Sequence, residues 1–362
     1  MAQTTQWSPE KANDWYARQP WLVGSDYIPA YAVNQFEMWL GASFDSDRVA
    51  LEFTWAENLG MNTMRIFLHD QLWQQDQGGF RRRIDRVLSQ AKKHNIRPIL
   101  VLFDSYGDPF PDINKPRIGR PGIRNSGWVQ SPGDRALADP KQETRILEYA
   151  ENLVLAFADD DRILAWDVWN QPDNMNDESY GRVELPKKIE LVTALLPKVF
   201  RYVRAGRPTQ PLTSSLWHGD WSSPDKLSPI EKIQIELSDF ISFQNYDKPE
   251  EFEKRIQWLQ AFHRPVMCTG FLARSSGSTL QAILPIARKY NVAAINWGLV
   301  AGKTQTWLPN DSWERPYTDR NPSIWASEIF TSNGKPYRQE EVDYIRSMTA
   351  QAETSKAKQK KH

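Results

Sequence analysis

Amides, hydroxyls and aromatic rings, rather than clustered histidines or thiols, are the groups this chain gathers where chemistry could be done. Trp166-Asp167-Val168-Trp169-Asn170-Gln171-Pro172-Asp173 closes one apolar run, and Met267-Cys268-Thr269-Gly270-Phe271 closes another. Comparable run ends carry Arg65 with His69 and Asp70, and Asp104-Ser105-Tyr106-Gly107-Asp108 with Asn125, Trp128 and Gln130 beyond it. Others carry Trp217-His218-Gly219-Asp220-Trp221, Gln244-Asn245-Tyr246 and Asn296-Trp297-Gly298. A flat indole face beside amide and hydroxyl donors suits the apolar face and rimming hydroxyls of a polyol ring. The 16 tryptophans, 12 tyrosines and 15 phenylalanines bring aromatic residues to 12% of the 362, enough for a core and for such a surface.

Other chemistries lack their residues. A single cysteine, Cys268, rules out an internal disulfide framework and a thiolate zinc site. It reads as a buried strand thiol, because no histidine is placed to activate it. Five histidines, scattered singly, argue against a histidine-rich metal site. Lysine plus arginine and aspartate plus glutamate both number 45, so the basic surplus of a phosphate-neutralising nucleic-acid binder is missing. No segment approaches the ~20 apolar residues that cross a bilayer. Residues 1–6 show neither the charged start nor the apolar stretch of a secretory signal. The chain as written therefore reads as cytoplasmic, or as periplasmic or secreted if a signal peptide has been removed. Phosphate-cradling glycine loops are missing after the strands, and no metal or organic cofactor is expected.

The elements that must position these residues alternate along the chain. Short apolar runs at Trp21–Tyr27, Asn62–Phe67, Pro98–Phe103, Ile163–Trp169, Leu212–Leu216, Phe240–Phe243, Pro265–Thr269 and Ala293–Trp297 predict eight strands. Several are apolar without alternation, the mark of parallel strands buried on both faces. Between them, 3.6-residue periodicity predicts helices over Ser46–Leu59, Phe80–Asn95, Gln142–Ala158, Pro186–Ala205, Pro229–Leu237, Pro249–Phe262 and Thr279–Tyr290, with an eighth near Ser323–Phe330. Asn95 and Asn291 end basic helices just before strands, and Pro265 opens a strand after His263. Eight strand–helix units predict a (β/α)8 TIM barrel, an α/β fold whose active sites lie at the C-terminal strand ends. The expected organisation is one domain: an N-terminal extension over 1–20, the barrel over 21–349, and a disordered basic tail over 350–362.

In that frame Trp169-Asn170-Gln171-Pro172 resembles the Trp-Asn-Glu-Pro motif of clan A glycoside hydrolases, the retaining barrels that include glycoside hydrolase family 5. The resemblance extends to Arg65, Tyr246, the Cys268–Arg274 segment and Trp297. Asn125–Pro132 and Asn296–Thr306 are similar to a bacterial subgroup labelled cellulase- or xylanase-like. It implies a carbohydrate substrate and two catalytic carboxyl groups, a general acid/base after Asn170 and a nucleophile at the end of strand seven, about 5–5.5 Å apart. This chain has Gln171 and Gly270 at those places. An amide cannot transfer the proton, and glycine has no group to form the glycosyl ester.

The resemblance assigns Asn170 to the sugar 2-hydroxyl, Trp297 to the platform under the sugar, Arg65 to orienting the nucleophile carboxylate, and Tyr246 to a hydroxyl donor beside it. With Gly270 in place, Arg65 is expected to hold an anion or water instead. His69, Trp128, Trp217 and His218 are candidates for further sugar subsites or for loop support, and Asp167 for a structural role. Three explanations fit the pair of substitutions: deliberate inactivation, a glycosynthase-type variant, and a natural carbohydrate-binding pseudoenzyme. Intact recognition residues around two missing groups favour the first. Another carboxylate near a strand end, Asp104 or Asp108, is the alternative source of chemistry.

Overall fold

The computed structural model describes residues 5–359. Eight strands, β1 (Val23–Tyr27), β2 (Thr63–Phe67), β3 (Ile99–Asp104), β4 (Ala165–Asn170), β5 (Leu212–Ser215), β6 (Ile241–Gln244), β7 (Val266–Gly270) and β8 (Ala293–Trp297), form one sheet. Every ladder is parallel, in the order β5-β4-β3-β2-β1-β8-β7-β6. Leu216 closes the circle between β5 and β6, donating to the Ser242 carbonyl (3.0 Å) and accepting from the Gln244 N–H (2.8 Å). All strand residues are buried, polar ones included, because one face meets the helices and the other the barrel interior. The chain is a (β/α)8 barrel.

Helices return the chain at 46–57, 77–93, 143–156, 188–205, 229–237, 249–260 and 280–289, as their periodicity predicts. Their ends follow local chemistry. The Asp45 carboxylate caps the N–H groups of Asp47 and Arg48, and Ser228 with Glu231 forms a reciprocal capping box. Asn95, His263 and Asn291 adopt the left-handed conformation (φ 57°, 57° and 52°), turning each helix into its following strand.

The eighth helix is not where periodicity places it. Residues 323–330 are irregular, and Gln339–Gln359 supplies the last helix. The N–H groups of Ile329 and Phe330 both go to the Leu299 carbonyl, and Phe330 bridges to Val300 and Pro336. Those donors are spent on the β8 exit, so no helical ladder can form there. The last helix continues through residues whose composition suggests a tail; 360–362, like 1–4, fall outside the described residues.

Below the barrel, the helix Pro9–Ala17 acts as a stopper. Trp15 stacks on Phe240 (centroids 5.8 Å apart, 24° between planes) within a small apolar cluster of Leu22, Ile99, Leu164, Met267 and Ile295. The upper interior is polar instead. The Ser215 hydroxyl meets those of Ser242 (2.9 Å) and Thr269 (2.7 Å), and donates to Asp167 (3.1 Å). The fold thus presents a dry base and a hydrogen-bonded mouth.

Candidate functional site

At the floor of the mouth, the β2 residue Arg65 is fully buried. Its Nη1 donates to Asp26 (2.8 Å), its Nε and Nη2 to Asp167 (3.0 and 2.7 Å), and Nη2 also to the Asn170 side-chain oxygen (2.8 Å). The expectation that Arg65 lacks a protein partner is corrected: strands β1 and β4 supply acceptors for four of its five N–H groups. Asp167 has the structural role its place before the motif suggests. Burial pushes the Asp26 carboxyl up to about 7, against the pull of Arg65.

Asn170 ends β4 with its amide bonded within the protein. It donates to Asp104 (2.8 Å), and its oxygen accepts from Arg65 and from Gln244 (2.7 Å). Gln244, ending β6, accepts in turn from the Gln171 amide (2.6 Å) and the Tyr246 hydroxyl (3.2 Å). Gln171 stands in the left-handed conformation (φ 46°) just after the strand, where its oxygen accepts from Asn174 (2.7 Å). On β7, a Cβ added at Gly270 would lie 2.5 Å from the Tyr246 oxygen and 2.9 and 3.0 Å from Cγ and Cδ of Gln244. Positions 171 and 270 thus converge on one side chain, Gln244. Its strand-end position is visible in the sequence, but nothing in residue type alone says that it fills the space beside a glycine on the neighbouring strand.

The remaining predicted residues divide into two groups. His69 and Trp128 are completely buried, which agrees with loop support, the second of the two roles expected of them. The His69 Nδ1 accepts from the Gln71 N–H (3.2 Å), so its Nε2 is the donor to the Gln130 carbonyl (2.9 Å), and Phe36 packs against the ring. Trp128 donates to Asp104 (2.7 Å) and meets Phe67 edge-on at 5.2 Å. Both brace the long segment after β3. Trp217, His218, Tyr246 and Trp297 lie nearer the opening. Trp217 is half-buried and donates to Asp173 (2.8 Å), whose carboxyl is raised by burial; the exposed His218 approaches the same group (3.7 Å). Tyr246 is half-buried, its hydroxyl held well above its ordinary range by burial. Trp297 is 6% exposed, and its Nε1 has no partner among the described residues.

One further carboxyl has no signature in the sequence. Glu328 lies buried against the β8 exit, its oxygen 2.7 Å from where a Gly298 Cβ would stand, accepting from the Thr306 hydroxyl. Burial raises it to about 7. It falls inside the stretch whose periodicity suggests a helix, which hides its inward orientation. The alternative carboxylates are tied down. Asp104 accepts from Asn170, Tyr106 and Trp128, and Asp108 from the Phe110 N–H and the Arg117 guanidinium. Among the described residues no group of three or more His, Cys, Asp or Glu is arranged to hold a metal. Burial pushes the Cys268 thiol up to about 12, which keeps it an inert neutral group. No helix of the described chain is long and apolar enough to cross a membrane.

The fold is a (β/α)8 barrel shared with solved structures of glycoside hydrolases. Among solved structures, the chain is similar to an exo-β-1,4-mannosidase, Op5Man5, from Opitutaceae bacterium strain TAV5 (TM-score 0.60, 18% identity, 91% of this chain and 60% of that one). It is also similar to the endo-β-1,4-mannanase of Thermotoga petrophila (TM-score 0.59, 14% identity, 94% and 78%). Among curated proteins, mannan endo-1,4-beta-mannosidase 8 of Oryza sativa subsp. japonica is 26% identical over 188 residues, 44% of this chain and 47% of that protein. The chain thus spans about half the length of the curated relative that it matches. No family model matches it.

Proposed function

We propose that this chain is a carbohydrate-binding barrel of glycosidase type that holds a β-linked mannose-containing oligosaccharide without cleaving it by double displacement. The observation that carries the reading is the convergence of Gln171 and Gly270 on Gln244, in a site where neither position offers a titratable group. A retaining glycosidase needs a proton donor and a carboxylate nucleophile on opposite sides of the scissile bond. Loss of the general acid/base alone costs about 10²–10⁴-fold in rate. The mannan-directed names of the relatives supply the sugar class. The half-buried rings of Trp217 and Tyr246 and the unspent indole N–H of Trp297 support a sugar-binding reading.

The packing around Gly270 favours a natural binder over deliberate inactivation. Removing a glutamate side chain from a finished site leaves a hollow. Here a neighbour already stands within contact distance of where even a methyl group would go. The test is calorimetric titration with mannotetraose, with reducing ends assayed in the same samples. Saturable binding without new reducing ends is expected, weakened at least tenfold in Trp297→Ala. Turnover by the unmodified chain, or no binding of any manno-oligosaccharide, overturns the reading.

A further inference from the structure

We infer that Gln244 is the residue that seals the cleavage point, a plug whose removal reopens room for an attacking anion beside Gly270. The inference rests on the carbohydrate-binding reading above and deepens it: the loss of chemistry lies in β6 as well as in the two substituted positions.

The geometry is specific. Gln244 and Gly270 are register partners on adjacent strands, and the ladder shifts by one residue between Phe243 and Gln244. Gln244 is fully buried, and its amide is spent within the protein, donating to Asn170 and accepting from Gln171 and Tyr246. Its Cγ and Cδ stand where a side chain on residue 270 would begin. Close approach of this kind is what restricts a buried position to glycine. Gln244 also occupies the Asn170 oxygen, leaving that amide no free acceptor for a sugar hydroxyl. Truncating Gln244 to alanine removes its carboxamide, which opens a polar pocket bounded by Asn170, Gln171, Tyr246 and Gly270.

The test uses azide as the external nucleophile and a dinitrophenyl β-mannoside, whose leaving group departs without a proton. A terminal azide nitrogen forms a bond to the anomeric carbon as the bond from that carbon to the phenolic oxygen breaks. The electron pair leaves on dinitrophenolate, and the product is a mannosyl azide of inverted configuration. In Gln244→Ala, azide is expected to raise dinitrophenolate release by roughly tenfold or more, with mannosyl azide as product, while the unmodified chain shows no azide dependence. Gln244→Ser, which keeps a hydroxyl for Gln171, guards against an alanine variant that fails to fold. Folded variants that still bind mannotetraose but release nothing with azide overturn the proposal. So does equal azide-dependent release by the unmodified chain. Failure of mannotetraose binding in the unmodified chain instead overturns the underlying carbohydrate reading.

Discussion

Gly270 is held as glycine by its neighbours, so Gly270→Ala is an overpacking substitution. Forcing a methyl group against Gln244 and the Tyr246 hydroxyl should cost about 1–3 kcal/mol, read from urea unfolding. Pairing it with Gln244→Ala should recover much of that loss, because the two side chains compete for one space. A vacated glutamate site would behave oppositely and tolerate alanine alone. Two buried carboxyls make a second residue-scale prediction. Asp26 and Glu328 both titrate near 7 in the folded chain, raised by burial, against about 4 when unfolded. Between those values the folded state keeps protons that the unfolded state has lost. Their contribution to stability is therefore highest below about pH 4, falls as pH rises towards 7, and levels off above it. In thermal melts across this window, Asp26→Asn or Glu328→Gln should flatten the slope; an unchanged slope in both would contradict the assignment.

Among the elements, the N-terminal helix carries a testable load. Trp15 covers the barrel base through Phe240, and Trp15→Ala should cost about 3 kcal/mol in thermal unfolding, with sugar binding unaltered at the opposite face. A loss of binding larger than the loss of folded protein would mean that base and mouth are coupled. All eight strands are legible in the sequence: β3 reads as an unbroken apolar run because both its faces are buried, while β1 and β5, with Ser25, Asp26 and Thr213 to Ser215, are legible from the alternation of strand and helix. Seven helices are legible from their period and their Asn or Pro boundaries. The eighth is not, because the segment 323–330 has helix-like composition but gives its backbone donors to the β8 exit, a non-local pairing that composition does not record. Arg65, Asn170 and Tyr246 are picked out in the sequence by the resemblance of their segments, and the structure joins them in one hydrogen-bonded cluster with Gln244. The part played by Gln244 is not, since it depends on the stagger between β6 and β7. His69 and Trp128 have two readings in the sequence for a related reason: a polar or aromatic side chain after a strand can turn inward to brace a loop as readily as outward to a ligand.

For the whole molecule, the (β/α)8 barrel has a mouth crossed by hydrogen bonds among its own amides. Arg65 is neutralised by β1 and β4, the Asn170 oxygen accepts from Arg65 and Gln244, and Gln171 is held between Gln244 and Asn174. Trp217, His218 and Tyr246 retain exposure, and Trp297 keeps an indole N–H without a partner among the described residues. Binding should accordingly tolerate Gln171→Ala better than Trp297→Ala when mannotetraose affinities are compared by calorimetry. The most direct measurement is a crystal structure of the unmodified chain soaked with mannotetraose. An uncleaved oligosaccharide lying across Trp297, above Gln171 and Gly270, is the result predicted. Cleaved sugar at that place, or an intact chain of sugars bound only elsewhere on the surface, would contradict it.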